Sequence, residues 1–202
     1  MEYKNKGENM MKFKSKELVL IGIFTVLLYM VSLVTAFVAI LPIGTIISGA
    51  VYAILSAPIY MLYISKIKKP FAITITGIFC SIMSLMSFTK ISIALITFVC
   101  FIVADIVASI KKYENNKFNV LSYMIFSLWP LGLQGAYWYM QDFMVEFSLS
   151  SGMEQSWLDS MVKLATPLNF VIMVLATLAC AYIGTLFANL MFKKHFKKAG
   201  MI

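Results

Sequence analysis

The chain is short of the residues on which most soluble protein chemistry depends. Only 13% of its 202 residues are charged, 61% are hydrophobic, and the mean hydropathy is +0.87. Soluble domains run nearer a quarter charged and half apolar, so the composition does not suit a water-soluble globule. Histidine is nearly absent. The one copy, His195, stands in the basic tail, which leaves histidine-based metal sites and Ser-His machinery without a residue inside the apolar body. No H-E-x-x-H, G-x-S-x-G or phosphate-cradling loop occurs, so the chain is not read as an enzyme. Cysteine is limited to Cys80, Cys100 and Cys180, an odd number placed inside apolar runs. They read as small core residues and not as a disulfide framework. No metal or cofactor is expected.

What the chain does have is long uncharged runs. A helix crossing the ~30 Å hydrocarbon core needs about 20 apolar residues. Leu18 to Ser65 is 48 residues without a charge, enough for two helices joined by a tight turn at Leu41-Pro42-Ile43-Gly44. Further spans are expected at 71–88, 91–110 (interrupted only by Asp105), 118–141 and 166–192. In the last, Thr166 reads as N-cap and Pro167 as the first helical residue, where a missing N–H costs nothing. The expected architecture is therefore an all-α, polytopic bundle of six transmembrane helices, with spans near 18–40, 43–65, 71–88, 91–110, 118–141 and 166–192. Residues 1–17 precede it, 142–165 form the longest outer loop, and 193–202 form a basic tail. The first span lacks a small-residue cleavage site and is followed at once by another, so it is not read as a cleavable signal.

Charge sets the orientation. All 17 basic residues are lysines, and the net charge is +8. Lys4, Lys6, Lys12, Lys14 and Lys16 precede span one, and Lys66, Lys68 and Lys69 follow span two. Lys111, Lys112 and Lys117 separate spans four and five, and Lys193, Lys194, Lys197 and Lys198 end the chain. With alternating spans these 15 share one side, leaving Lys90 and Lys163 on the other. The positive-inside rule places both termini in the cytoplasm. The basic excess is topological, so no nucleic-acid partner is expected.

Helices in lipid associate through small residues that let backbones approach. Span one carries Gly22, Thr25, Ser32, Ala36 and Ala39; span three has Thr74, Gly77, Ser81 and Ser84; span six has Ala176, Cys180, Gly184 and Ala188. Each stripe can serve packing within the bundle or docking of a separate membrane subunit, and composition does not separate the two.

Several segments resemble one family. Lys14-Ser15-Lys16-Glu17-Leu18-Val19-Leu20-Ile21-Gly22-Ile23-Phe24-Thr25 is similar to the first helix of energy-coupling factor (ECF) transporter S components. Ser65-Lys66-Ile67-Lys68-Lys69, Ala104-Asp105, Phe126-Ser127-Leu128-Trp129 and the ending Lys193-Lys194-His195-Phe196-Lys197-Lys198-Ala199-Gly200 narrow the resemblance to the MptD, or Trep_Strep, family of S components. The resemblance implies a six-helix protein of the bacterial cytoplasmic membrane that captures a small vitamin-like nutrient outside. It implies delivery together with a T component and two ATP-binding subunits. An Ala-x-x-x-Ala patch on the first helix meets the T component in several S components. The matching positions here are Gly22, which is small, and Val26, which is not, with Thr25 beside them. A self-sufficient secondary transporter is the alternative, although no paired internal repeat is evident.

By the same resemblance the substrate pocket lies near the outer ends of spans four to six. There Gln134, Tyr137, Trp138 and Gln141 fall at i, i+3, i+4 and i+7, one polar and aromatic helix face. The aromatics equally suit an interfacial belt, whereas Gln134 lies deeper and needs a partner. Trp129-Pro130 either bends the helix around a cavity or is a plain kink, with the carbonyl of Phe126 freed by the proline. Asn169 faces the pocket or bonds a neighbouring helix. Lys90, in the turn with Ser92, either draws an anionic substrate group or snorkels. In the outer loop, Ser151-Gly152-Met153-Glu154 reads as a capping box, starting a helix with Trp157, Leu158, Met161 and Val162 on one apolar face. That helix rests on the membrane or forms a lid. Asp105, the only acid inside a span, is expected to pair with inner lysines or to cap a helix.

Overall fold

The structure, a computed structural model, describes residues 13–88 and 90–192. The first twelve residues, Thr89, and the tail with its four lysines and His195 lie outside the described residues. Among the described residues there are helices and no strands. The helices are α1 (Ser15–Ala36, continued by a 3-10 turn, Phe37–Ile40), α2 (Pro42–Lys66), α3 (Ala72–Phe88), α4 (Ile91–Ser109) and α5 (Asn116–Phe126). Then come α6 (Leu131–Gln134), α7 (Ala136–Tyr139), α8 (Gln141–Ser150), α9 (Gln155–Leu164) and α10 (Pro167–Met191).

Four of these segments are long and apolar enough to cross a membrane: Ser15–Ile40, Pro42–Lys66, Ile91–Ser109 and Pro167–Met191. At 1.5 Å per residue, the 25 residues of α2 reach roughly 37 Å. Helix α3 is shorter, at 17 residues. Apolar residues face outward as well as inward. Val19, Val26 and Met30 on α1, Met86 on α3 and Leu175 and Leu190 on α10 are all more than half exposed. Such a surface is at home in lipid and not in water.

Helix α2 is the axis of the fold. It carries fourteen buried residues and packs on α1, α5, α9 and, most extensively, α10. Its Tyr52, Tyr60 and Tyr63 meet Tyr123 and Phe126 of α5, Phe101 of α4 and Trp129 in an aromatic core. Buried phenols need partners. Tyr60 bonds Ser122 at 2.7 Å, Tyr63 donates to the Ala72 carbonyl at 2.7 Å, and Tyr123 contacts both Ser56 and the Ala53 carbonyl.

Contacts between loops mark two distinct ends. At one, Lys69 pairs with Glu17 at 2.8 Å and Lys68 with Glu114 at 3.5 Å, joining the start of α1, the α2–α3 loop and the α4–α5 loop. At the other, the Trp157 indole N–H donates to the Ile40 carbonyl at 2.7 Å, and Ser92 donates to Met140 Sδ at 3.0 Å.

The expected continuous helix over 118–141 is broken. It begins at Asn116, capped by the Asn115 side chain, which accepts the Lys117 N–H at 2.9 Å, and loses α-geometry after Phe126. The cause is Pro130, which has no N–H for the carbonyl four residues back. That carbonyl is not left free: the Trp129 N–H reaches Phe126 O at 3.1 Å, and the next bonds, Leu131 to Leu128 and Gly132 to Trp129, are also of the tighter i+3 kind. Two single-turn helices, α6 and α7, follow.

The outer loop differs from expectation too. Ser151-Gly152 stops a helix and does not start one. Gly152 has φ +84°, its N–H bonds Leu149 O, and the Met153 N–H bonds Ser148 O, the Schellman pattern that left-handed glycine permits. Helix α9 begins after Glu154, whose side chain makes no cap. The loop is therefore a hairpin of two helices, with Leu158 and Met161 of α9 buried.

The three stripes of small residues separate in space. A Cβ on Gly184 would lie 2.8 Å from Ala53 O, and one on Gly77 2.4 Å from Phe101 Cβ, so these stripes pack α10 on α2 and α3 on α4. A Cβ on Gly22 would meet nothing within 4 Å. Thr25 bonds Thr76 of α3 at 3.1 Å, and Gly22 itself is open.

Candidate ligand-binding site

Two cavities meet at Gln134, at the end away from the Glu17–Lys69 contact. The inner one, about 220 Å³, is walled by α1 (Tyr29, Ser32, Thr35), Ser48 of α2, Ser84 of α3, Thr97 of α4, and the broken segment with Trp129, Pro130, Leu133 and Gln134. The outer one, about 240 Å³, is walled by Thr45, Gln134 and Tyr137 and roofed by α8 and α9 through Met144, Phe147, Ser148 and Trp157. The break at Pro130 is what shapes this region: it ends α5 before the cavity and turns Leu133 and Gln134 into its wall.

The polar groups are specific. The hydroxyls of Ser32, Thr35, Ser48 and Ser84 each donate to a carbonyl one turn back on their own helix. Toward the cavity they therefore offer lone pairs. The Trp129 indole N–H is engaged by the Tyr52 hydroxyl at 2.9 Å. Gln134 Oε1 and Thr45 Oγ1 are buried without a hydrogen-bond partner among the described residues. The Gln134 amide oxygen lies against Gly49 of α2, 3.0 Å from where a Cβ would stand.

Of the residues singled out from sequence, Trp129, Gln134 and Tyr137 line these cavities. Tyr137 also bonds Ser148 at 2.8 Å, tying the roof to its wall. The others do not line them. Trp138 donates to the Thr166 carbonyl at 2.7 Å and packs on Phe170. Gln141 is exposed at the start of α8. The Asn169 amide donates to the Leu164 carbonyl at 2.8 Å, and its N–H is capped by Thr166, so it fastens the α9–α10 junction. The Lys90 ammonium sits 4.4 Å above the centre of the Phe143 ring, and Ser92 contacts Met140. The helical face 134-137-138-141 dissolves because the backbone there is not one helix. Conversely, Tyr29, Thr35, Ser48, Ser84 and Thr97 line the inner cavity without having been marked as binding residues by the sequence. The only sequence signal for them is hydroxyl residues in several different spans, which the fold alone brings together.

Asp105 lies at the opposite end, 4% exposed. Its carboxylate accepts the Thr74 N–H at 3.0 Å, the Thr74 hydroxyl at 2.7 Å and the Tyr113 hydroxyl at 2.5 Å. It caps the first turn of α3 from the neighbouring helix and makes no ion pair with lysine among the described residues. Tyr113 is held in the left-handed region, φ 61°, after Lys112 at φ 53°. Burial, and then the bond to the Asp105 carboxylate, push the Tyr113 phenol well above its ordinary value. A further groove of about 310 Å³, between α1 and α3, is lined by Gly22, Thr25, Val26, Tyr29, Phe79 and Met83.

Outward-facing apolar helices and a bundle stitched at two ends define a multi-pass integral membrane protein. The chain belongs to the Trep_Strep family, described as hypothetical bacterial integral membrane proteins, whose model matches residues 15–198. No curated protein and no solved structure matches it.

Proposed function

We propose that the chain is the substrate-binding S component of an ECF-type importer in the bacterial cytoplasmic membrane. It would cross the bilayer six times with both termini inside, the fifth crossing being the segment broken at Pro130. The observation that carries this reading is the cavity at Gln134, which lies away from the lysine-rich end and so faces the exterior under the positive-inside rule. The sequence has no nucleotide-binding loop. On this reading energy comes from a T component and two ATP-binding subunits, and the captured molecule is a small nutrient.

The groove at Gly22, Thr25 and Val26 is the surface that suits the T component, because it is apolar, faces outward and allows close approach. Gly22→Trp is expected to abolish co-purification with the T component and leave the subunit folded, since nothing within the protein stands where the side chain would begin. Unchanged co-purification contradicts the assignment. A second reading, a self-sufficient secondary transporter, draws on the helix broken beside the cavity. It differs in needing no partner subunit.

The α8–α9 hairpin roofs the outer cavity, so it is proposed as the lid. Hydrogen exchange at the amides of Met144 to Leu158 is expected to slow when substrate binds. Unchanged exchange there would make the hairpin a fixed surface element.

A further inference from the structure

The walls of the two cavities restrict what they can hold, beyond the general reading of a nutrient receptor on which this step rests. We propose that the joined cavities take a neutral polar small molecule, and that they reject carboxylates and phosphates.

No charged side chain lines either cavity among the described residues. An anion or cation entering would lose its hydration without gaining a counter-charge, which is strongly unfavourable. Lys90 does not relieve this for an anion, because its ammonium rests on the Phe143 ring and it is not part of either wall. The polar atoms that are present are neutral and include donors, the Gln134 amide NH₂ and the hydroxyls of Tyr29 and Thr97, as well as acceptors. The hydroxyls of Ser32, Thr35, Ser48 and Ser84 have donated their protons to backbone carbonyls. Gln134 Oε1 and Thr45 Oγ1 have no partner among the described residues, and both atoms are fully buried. The inner cavity has the volume of roughly seven water molecules at about 30 Å³ each, which suits a single-ring compound. Trp129 and Leu133 supply apolar wall for such a ring.

The test uses the full-length protein in nanodiscs and its own tryptophan fluorescence, since Trp129 and Trp157 both line the cavities. Matched single-ring pairs, benzamide against benzoate and benzyl alcohol against benzyl phosphate, are titrated to millimolar concentration. The neutral members are expected to bind at least about tenfold more tightly than the anions, as desolvation of an unpaired charge requires. Gln134→Leu, or Thr97→Val if the first variant does not fold, is expected to weaken the neutral probes about three- to tenfold, the worth of one neutral hydrogen bond. Lys90→Gln is expected to change nothing. Equal or tighter binding of the anions, weakening by Lys90→Gln, or no binding by any probe overturns the proposal. Its failure is separable from that of the receptor reading, which is scored by co-purification with ATP-binding subunits. A protein that assembles with them and prefers the anions refutes only the ligand class.

Discussion

Asp105→Leu is expected to prevent stable folding, whereas Asp105→Asn is expected to fold and to support uptake. The leucine variant strands the Thr74 N–H, the Thr74 hydroxyl and the Tyr113 hydroxyl, all of which donate to the carboxylate. A buried donor left without a partner costs about 1–3 kcal/mol, so three cost roughly 3–9 kcal/mol. A typical folded domain has only about 5–15 kcal/mol in hand. Asparagine keeps one oxygen for Thr74, and its NH₂ can be accepted by the Tyr113 hydroxyl once that group rotates. Its penalty should be about 1–2 kcal/mol, a weakened charge-assisted bond and not a broken network. Thermal unfolding in detergent measures the first effect and substrate uptake the second. A well-folded Asp105→Asn protein that cannot transport would show that the carboxylate carries a proton, and the capping role would not suffice.

Gly184→Leu should separate α10 from α2 and destabilise the protein by about 3 kcal/mol or more, the upper range for overpacking. The contact distances leave no easier outcome. The new Cβ would lie 2.8 Å from Ala53 O, 2.8 Å from Ala57 Cβ and 3.2 Å from Ile54 Cα, and two of those atoms are backbone that cannot rotate away. Ala53 O also accepts the Tyr123 hydroxyl, so a shift of α2 would disturb the aromatic core as well. Gly22→Leu, one stripe away, serves as the control. With open space at its Cβ it should change stability by less than about 0.5 kcal/mol. Equal unfolding temperatures for the two variants in the same detergent would refute the assignment of the two stripes to different roles.

These two glycines show what the sequence could and could not convey. Gly22 and Gly184 both stand in stripes of helical spacing, and such spacing reports only that a helix has a small face. Which neighbour that face meets is a tertiary fact. Apolar runs are legible because lipid demands them, and Thr166-Pro167 is legible because a helix start has local chemistry; the Thr166 hydroxyl does accept the Asn169 N–H. Around Pro130 the local rule misled. A proline-freed carbonyl was expected, yet a shift to i+3 bonding let Trp129 satisfy Phe126. That shift ended the helical periodicity on which the grouping of Gln134, Tyr137, Trp138 and Gln141 depended. Ser151 and Glu154 have the spacing of a capping box, but Gly152 between them satisfies the stop signal of the preceding helix first. The cavity hydroxyls were illegible for a different reason. Serine and threonine in a span look like packing residues until four separate helices place them around one space.

The proposed S-component role rests on the chain depending on partner subunits for energy. The direct measurement is purification of the tagged chain, in mild detergent, from the membranes of the bacterium that makes it. Elution with a T component and two ATP-binding subunits, with ATPase activity in the eluate and loss of both in Gly22→Trp, is the predicted result. A chain that elutes alone and drives solute accumulation in liposomes on an ion gradient, without ATP, would contradict it.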